Sequence, residues 1–223
     1  MKLILASAGF YTPEIVDKCV ELVGKPKEAI NFAVINEAYA VEHADHGWVL
    51  DDLNRIKRNF KGSMELVSLL ALDLKTVEER IEKADVLFVV GGHTDYLMNL
   101  FHTTGFDRLL VKLLKTKVYV GSSAGSMIIG NRLPAEVYAK VYGVENDYGV
   151  TTYLKLIDLA VIPHLQSPLF PQSNKDALLQ LTKNYVGTTY GLADNTAIVV
   201  CGDDRYVVGG ESVIIVDGVM VGR

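Results

Sequence analysis

The chain has 223 residues, 49% of them hydrophobic and 22% charged, with a formal net charge of -5. That balance describes a folded protein with a full core, and it argues against disorder and against a nucleic-acid partner, which needs a concentrated basic face. The two cysteines, Cys19 and Cys201, are too few for a metal site or a disulfide scaffold and suit a reducing compartment.

At the start of the chain the apolar run Leu3 to Ala6 is shorter than the ~7–15-residue core of a secretory signal and reads as a first strand. No later run approaches the ~20 apolar residues of a membrane span, so a cytoplasmic protein without membrane association is expected. Strands are predicted at Leu3 to Ser7, Ile30 to Ile35, Glu65 to Leu69, Val86 to Val90 and Val118 to Val120. Their apolar residues are continuous rather than alternating, as in a parallel sheet covered on both faces. Between them lie crossover helices. One runs from Thr12 and Pro13 to Val23, another is opened by a capping box at Thr76 and Glu79 and ends at Lys83, and a third is the amphipathic Phe106 to Leu114. Arg55, Lys57, Arg58 and Lys61 read as the solvated side of a further helix.

After about Thr151 the pattern changes. Short apolar segments at Ile157 to Ile162, Thr189 to Leu192, Ala197 to Cys201, Tyr206 to Val208 and Val213 to Val216 are separated by Gly- and Asp-containing turns, with one helix near Asp176 to Tyr185. The expected fold is a single α/β domain over residues 1–223. It has a doubly wound, mostly parallel sheet and a C-terminal β-rich extension packed on that sheet.

The strongest chemical signal is Gly121-Ser122-Ser123-Ala124-Gly125, between a predicted strand and a helix-like segment. In a strand-to-helix elbow the central serine stands above the sheet, and the amide of the next residue points where an oxyanion forms. A Gly/Ser turn of this kind also suits an anion at a helix N-terminus. Serine needs a base. Of the five histidines only His164 follows Ser123, and it stands immediately past the strand ending at Ile162, where an open α/β sheet presents its site; a surface or capping role is the alternative. Asp194 also follows a predicted strand and is the candidate third member, although an Asp-Asn pair at such a place is commonly just a turn. Gly91-Gly92-His93-Thr94 directly follows the strand ending at Val90, which makes the Gly92 amide a candidate second oxyanion donor beside that of Ala124. Neither His93 nor His102 has an acidic or Cys partner at zinc-ligand spacing.

Gly-Gly-His-Thr, Gly-Ser-Ser-Ala-Gly, Pro-His and Gly-Leu-Ala-Asp-Asn-Thr-Ala, in this order, resemble the peptidase E (aspartyl dipeptidase) family of serine peptidases, to which the cyanophycinases are related. The resemblance implies a class I glutamine amidotransferase-like fold in which Ser replaces the amidotransferase Cys. It implies Ser123 as nucleophile, His164 as base, Asp194 as acidic member, and Gly92 and Ala124 as oxyanion amides. Substrate contacts fall on His93, Thr94 and Lys175. No cofactor or metal is implied, and the expected partner is a small peptide met by a monomer or homodimer. Two positions depart from the family. His93 replaces an Asn, and Asn174-Lys175-Asp176 stands nearest to an Arg-containing stretch that holds the substrate's aspartate. Lys lacks the bidentate fork of Arg, so an aspartyl preference does not carry over. An esterase using the same Ser and His, and an anion-binding protein on the same fold, are the alternatives. Amidotransferase chemistry is disfavoured because the elbow lacks the low-pKa thiol.

Overall fold

The apolar runs of the N-terminal half become neighbouring strands with helices on both sides. The structure, a computed structural model, describes residues 1–222. β1 (Lys2–Ala6) is buried from Leu3 onward, as a strand covered on both faces must be. α1 (Pro13–Val23) is opened by the Thr12 side chain, which accepts the Ile15 amide, and closed by Gly24 in the left-handed region. β2 (Phe32–Ile35), α2 (Gly47–Asn59), β3 (Met64–Leu66), α3 (Leu74–Glu82) and β4 (Val86–Val89) repeat the alternation. Two helices, α4 (Thr94–Thr104) and α5 (Phe106–Leu113), lead to β5 (Val118–Ser122), which is followed at once by the short α6 (Ala124–Met127).

β1 to β5 pair in parallel, and their side chains alternate between two apolar clusters. Ile4, Val34, Phe88 and Val120 face α1 and α2, whereas Leu3, Ala33, Leu87 and Tyr119 face α3, α4 and α5.

The remaining elements are α7 (Ala135–Tyr142), β6 (Ala160–Ile162), α8 (Lys175–Leu181), β7 (Thr188–Leu192), β8 (Thr196–Cys201), β9 (Asp204–Gly209), β10 (Ser212–Val216) and β11 (Val219–Gly222). Only part of the β-rich extension joins the main sheet. β8 pairs antiparallel with β1, and β9 with β8, completing the order β3-β2-β4-β5-β1-β8-β9. The other four strands form a second sheet, β11-β10-β7-β6, in which β6 and β7 are parallel. Val161, Tyr190, Val213 and Ile215 from this sheet enter the same apolar cluster as Leu3 and Leu87.

Other differences from the sequence expectation are local. The cap of α3 is Asp73, whose carboxylate accepts the Thr76 amide and hydroxyl, so Thr76 lies inside the first turn. Lys57, Arg58 and Lys61 are exposed as expected, but Arg55 turns inward, donating from Nη1 to Ala8 O and Asp52 Oδ1. The expectation omits α4, α7 and β11. The apolar residues Leu97, Met98, Leu100 and Phe101 of α4 are all buried, which blurs its helical period, and α7 and β11 span only eight and four residues.

Tyr119 is fully buried, and its hydroxyl donates to Gly125 O at 2.6 Å, tying β5 to the helix that follows it. Tyr119→Phe leaves that carbonyl without its donor and is expected to cost about 1–3 kcal/mol. Urea unfolding checks this as a lower midpoint at unchanged slope.

Candidate active site

The turn from β5 to α6 places Ser123 at φ 49° and ψ −112°, a conformation that costs an L-residue on the order of 1–3 kcal/mol and persists only where its surroundings over-determine it. Here they do. The Ser123 N–H is shared between Ala6 O and Ser7 O, each at 3.1 Å, and its carbonyl accepts from Ser126 and Met127. Ser126 Oγ donates to Ala6 O at 2.7 Å. The flanking glycines act through close approach. A Cβ on Gly121 would lie 2.5 Å from Gly125 C, and one on Gly125 would lie 2.2 Å from Val89 O.

His164 and Asp194 arrive from the second sheet rather than from the main one. They stand just past the ends of β6 and β7, whose parallel pairing sets Ile162 beside Gly191. Ser123 Oγ lies 2.9 Å from His164 Nε2, and His164 Nδ1 lies 2.6 Å from Asp194 Oδ1. An ionised carboxylate only accepts, so the proton of a neutral imidazole sits on Nδ1 and leaves Nε2 free to accept from Ser123. The hydrogen bond from His164 holds the Asp194 carboxyl below its usual range, against partial burial, which pushes it up. Phe170 stacks on the imidazole, with ring centroids 5.0 Å apart and planes at 25°.

The amides of Gly92 and Ala124 have no acceptor among the described residues. Gly92 sits at φ 128°, and a Cβ there would lie 2.4 Å from Ala38 C, so only glycine fits. Gly91 is its companion, with room for a Cβ only 3.0 Å from that of Ser123.

The residues expected to touch substrate are arranged less uniformly. His93 caps α4, its Nδ1 accepting the Tyr96 amide at 3.2 Å, while its ring meets Tyr148 edge-on. Burial pushes its pKa down. Thr94 Oγ1 reaches the Met127 sulfur at 3.5 Å. Lys175, in contrast, pairs with Glu211 and makes no hydrogen bond to Ser123, His164 or Asp194.

Sequence reasoning passed over Phe170, Ser7 and the pair Asp52 and Arg55. Asp52 is buried, and its pKa is raised chiefly by desolvation, with Ser122 and Arg55 partly offsetting this. Its one sequence signal is an Asp on the apolar stripe of α2, between Val49 and Ile56. Among the described residues no group of three or more His, Cys, Asp or Glu is placed to hold a metal ion, and no helix is long and apolar enough to cross a membrane.

The sequence profile of Peptidase family S51 matches residues 3–208. The chain belongs to this family. It is therefore a serine-type peptidase, a hydrolase acting on peptide bonds. Among relatives of this S51 peptidase, an uncharacterized peptidase of Listeria monocytogenes is 27% identical over 157 residues, covering 65% of this chain and 73% of that one. An uncharacterized peptidase of Pasteurella multocida is 26% identical over 165 residues, covering 73% of this chain and 76% of that one. The fold is also that of a Listeria monocytogenes crystal structure assigned to peptidase E, with a TM-score of 0.75 at 21% identity over 94% of this chain and 98% of that one. A peptidase from an acI-B1 Actinobacterium superposes with a TM-score of 0.69 at 18% identity, over 100% and 96%. The glutamine amidotransferase-like fold expected from the sequence is the fold of this S51 peptidase.

Because the Asp194 shift is downward, the stability it contributes is full above the ordinary aspartate value of 3.8 and is lost as pH falls through the lowered one. Asp194→Asn is expected to lower Tm at neutral pH. The difference from wild type is expected to narrow in acid below about pH 4, which a Tm series across pH checks.

Proposed function

We propose that this S51 peptidase hydrolyses small peptides of dipeptide size through an acyl-enzyme on Ser123. The observation that carries the reading is the continuous hydrogen-bond chain from Ser123 Oγ through His164 to Asp194, beside two unengaged amides. Ser123 Oγ attacks the scissile carbonyl as its proton passes to His164 Nε2, and the new oxyanion is held by the amides of Ala124 and Gly92. Collapse breaks the C–N bond, and His164 returns the proton to the leaving amine. Water then attacks the ester, giving its proton to His164, and the carboxylic acid departs as Ser123 is restored. Asp194 keeps the proton on Nδ1 and stabilises the imidazolium that forms.

The small-peptide substrate rests on the resemblance to the aspartyl dipeptidases. Selectivity for an N-terminal aspartyl residue is not part of the proposal. Lys175 and Arg132 are already paired, with Glu211 and Asp95, and the second pair is buried on both sides. Dipeptides with an uncharged first residue are expected to be cleaved at least as well as those beginning with Asp.

The test is labelling with a fluorophosphonate, with the modified residue located by mass spectrometry, followed by dipeptide hydrolysis. Wild type is expected to label at Ser123. Ser123→Ala is expected not to label, and Ser123→Ala and His164→Ala are each expected to lose about 10³-fold or more in kcat. Undiminished hydrolysis by Ser123→Ala would overturn the acyl-enzyme assignment.

A further inference from the structure

Ser7 is the first residue past β1 and is fully buried. Every polar group it owns is engaged. Its N–H donates to Thr196 O at 3.0 Å, which fastens it to β8. Its carbonyl accepts the Ser123 N–H at 3.1 Å. Its hydroxyl oxygen accepts the His164 N–H at 2.8 Å, and the hydroxyl proton points to Asp194 Oδ1 at 3.2 Å. One residue therefore hydrogen-bonds to Ser123, His164 and Asp194 at once.

Each bond meets a need. His164 sits at φ 64°, in the left-handed region that a bulky side chain visits only under constraint, and its N–H, part-buried, finds its acceptor in Ser7 Oγ. Asp194 Oδ1 is the same oxygen that accepts from His164 Nδ1, so the Ser7 hydroxyl fixes the carboxylate in the orientation that the imidazole uses. The main-chain carbonyl of Ser7 meanwhile holds the strained amide of Ser123. The two sheets contribute different members of the group, and Ser7 is bonded to both sides.

We propose that Ser7 is a positioning residue whose hydroxyl locks His164 and Asp194 to each other, while its main-chain carbonyl holds the elbow of Ser123. The inference rests on the reading of these three residues as catalytic, but its structural content can be measured without turnover. Ser7→Ala removes the hydroxyl and keeps the main-chain bonds. The first readout is the low-field proton resonance of the His164 Nδ1–H, observed in protein with ¹⁵N-labelled histidine, together with its exchange rate with water. The second is the rate of fluorophosphonate labelling at Ser123. In Ser7→Ala the proton is expected to exchange faster by about tenfold, and labelling to slow by a similar factor, which is what one hydrogen bond is worth. Ser7→Cys keeps a weak donor and acceptor in the same place and is expected to fall between the two; it decides the matter if Ser7→Ala fails to fold. A wild type with no such protected proton, or a Ser7→Ala protein with wild-type exchange and labelling, overturns the proposal. Loss of protection in Ser7→Ala without any labelling of Ser123 in wild type supports the role of Ser7 and defeats the acyl-enzyme reading instead.

Discussion

The contact between the carboxyl ends of β1 and β5 is the constraint on which the site depends. Ser123 holds a backbone conformation that no L-residue prefers, and the compensation comes from one strand over. Ala6 O accepts from both the Ser123 amide and the Ser126 hydroxyl, and Ser7 O shares the first of these. That sharing is possible because β1 and β5 are parallel neighbours in register, Ala6 beside Ser122. The strand after Ser122 must then turn away over Gly121 and Gly125, where any side chain would enter the main chain of Gly125 or Val89. The strain of the serine is thus held by ladder geometry and by two positions without Cβ atoms.

The second sheet has a different task. It brings His164 and Asp194 side by side through a parallel pair, β6 and β7, and then presents them to the elbow. The parallel register brings the residues just past Ile162 and Gly191 close together, and the left-handed turn at His164, held by Ser7 Oγ, completes the short bond to Asp194. The two sheets do not share a ladder, but residues of both lie in one apolar cluster. Packing of this kind is close to incompressible. The 2.9 Å separation of Ser123 and His164 accordingly depends on a core as well as on hydrogen bonds.

Much of this was legible in the sequence for a physical reason. Strands buried on both faces must be continuously apolar, and that pattern places the ends of β4 and β5 next to Gly91-Gly92 and Ser123. His164 and Asp194 were legible as polar residues directly after apolar strands. What could not be read was the sheet to which those strands belong, because four short segments with turns between them fit either partner. Arg55 looked solvated because its neighbours Lys57 and Arg58 are; its partner Ala8 O is 47 positions away. Asp73 lost to Thr76 because both satisfy the same capping rule and only the dihedrals separate them. Ser7 carried no signal, since a small polar residue at the end of a strand is ordinary.

The environments of Asp194 and Asp52 push the two carboxylates in opposite directions. Asp194 is half-buried and receives hydrogen bonds from His164 and Ser7, so its anion is stabilised. Asp52, on α2, is buried close to Gly9, and desolvation dominates there. Arg55 acts on both, directly through its bond to Asp52 and at longer range on Asp194. It also holds Ala8 O, one residue from the hydroxyl that orients the dyad. A positive charge that looks like surface decoration in the sequence therefore stabilises the buried acid and pins the loop beside Ser7. Arg55 thus ties the buried Asp52 of α2 to the main chain next to Ser7.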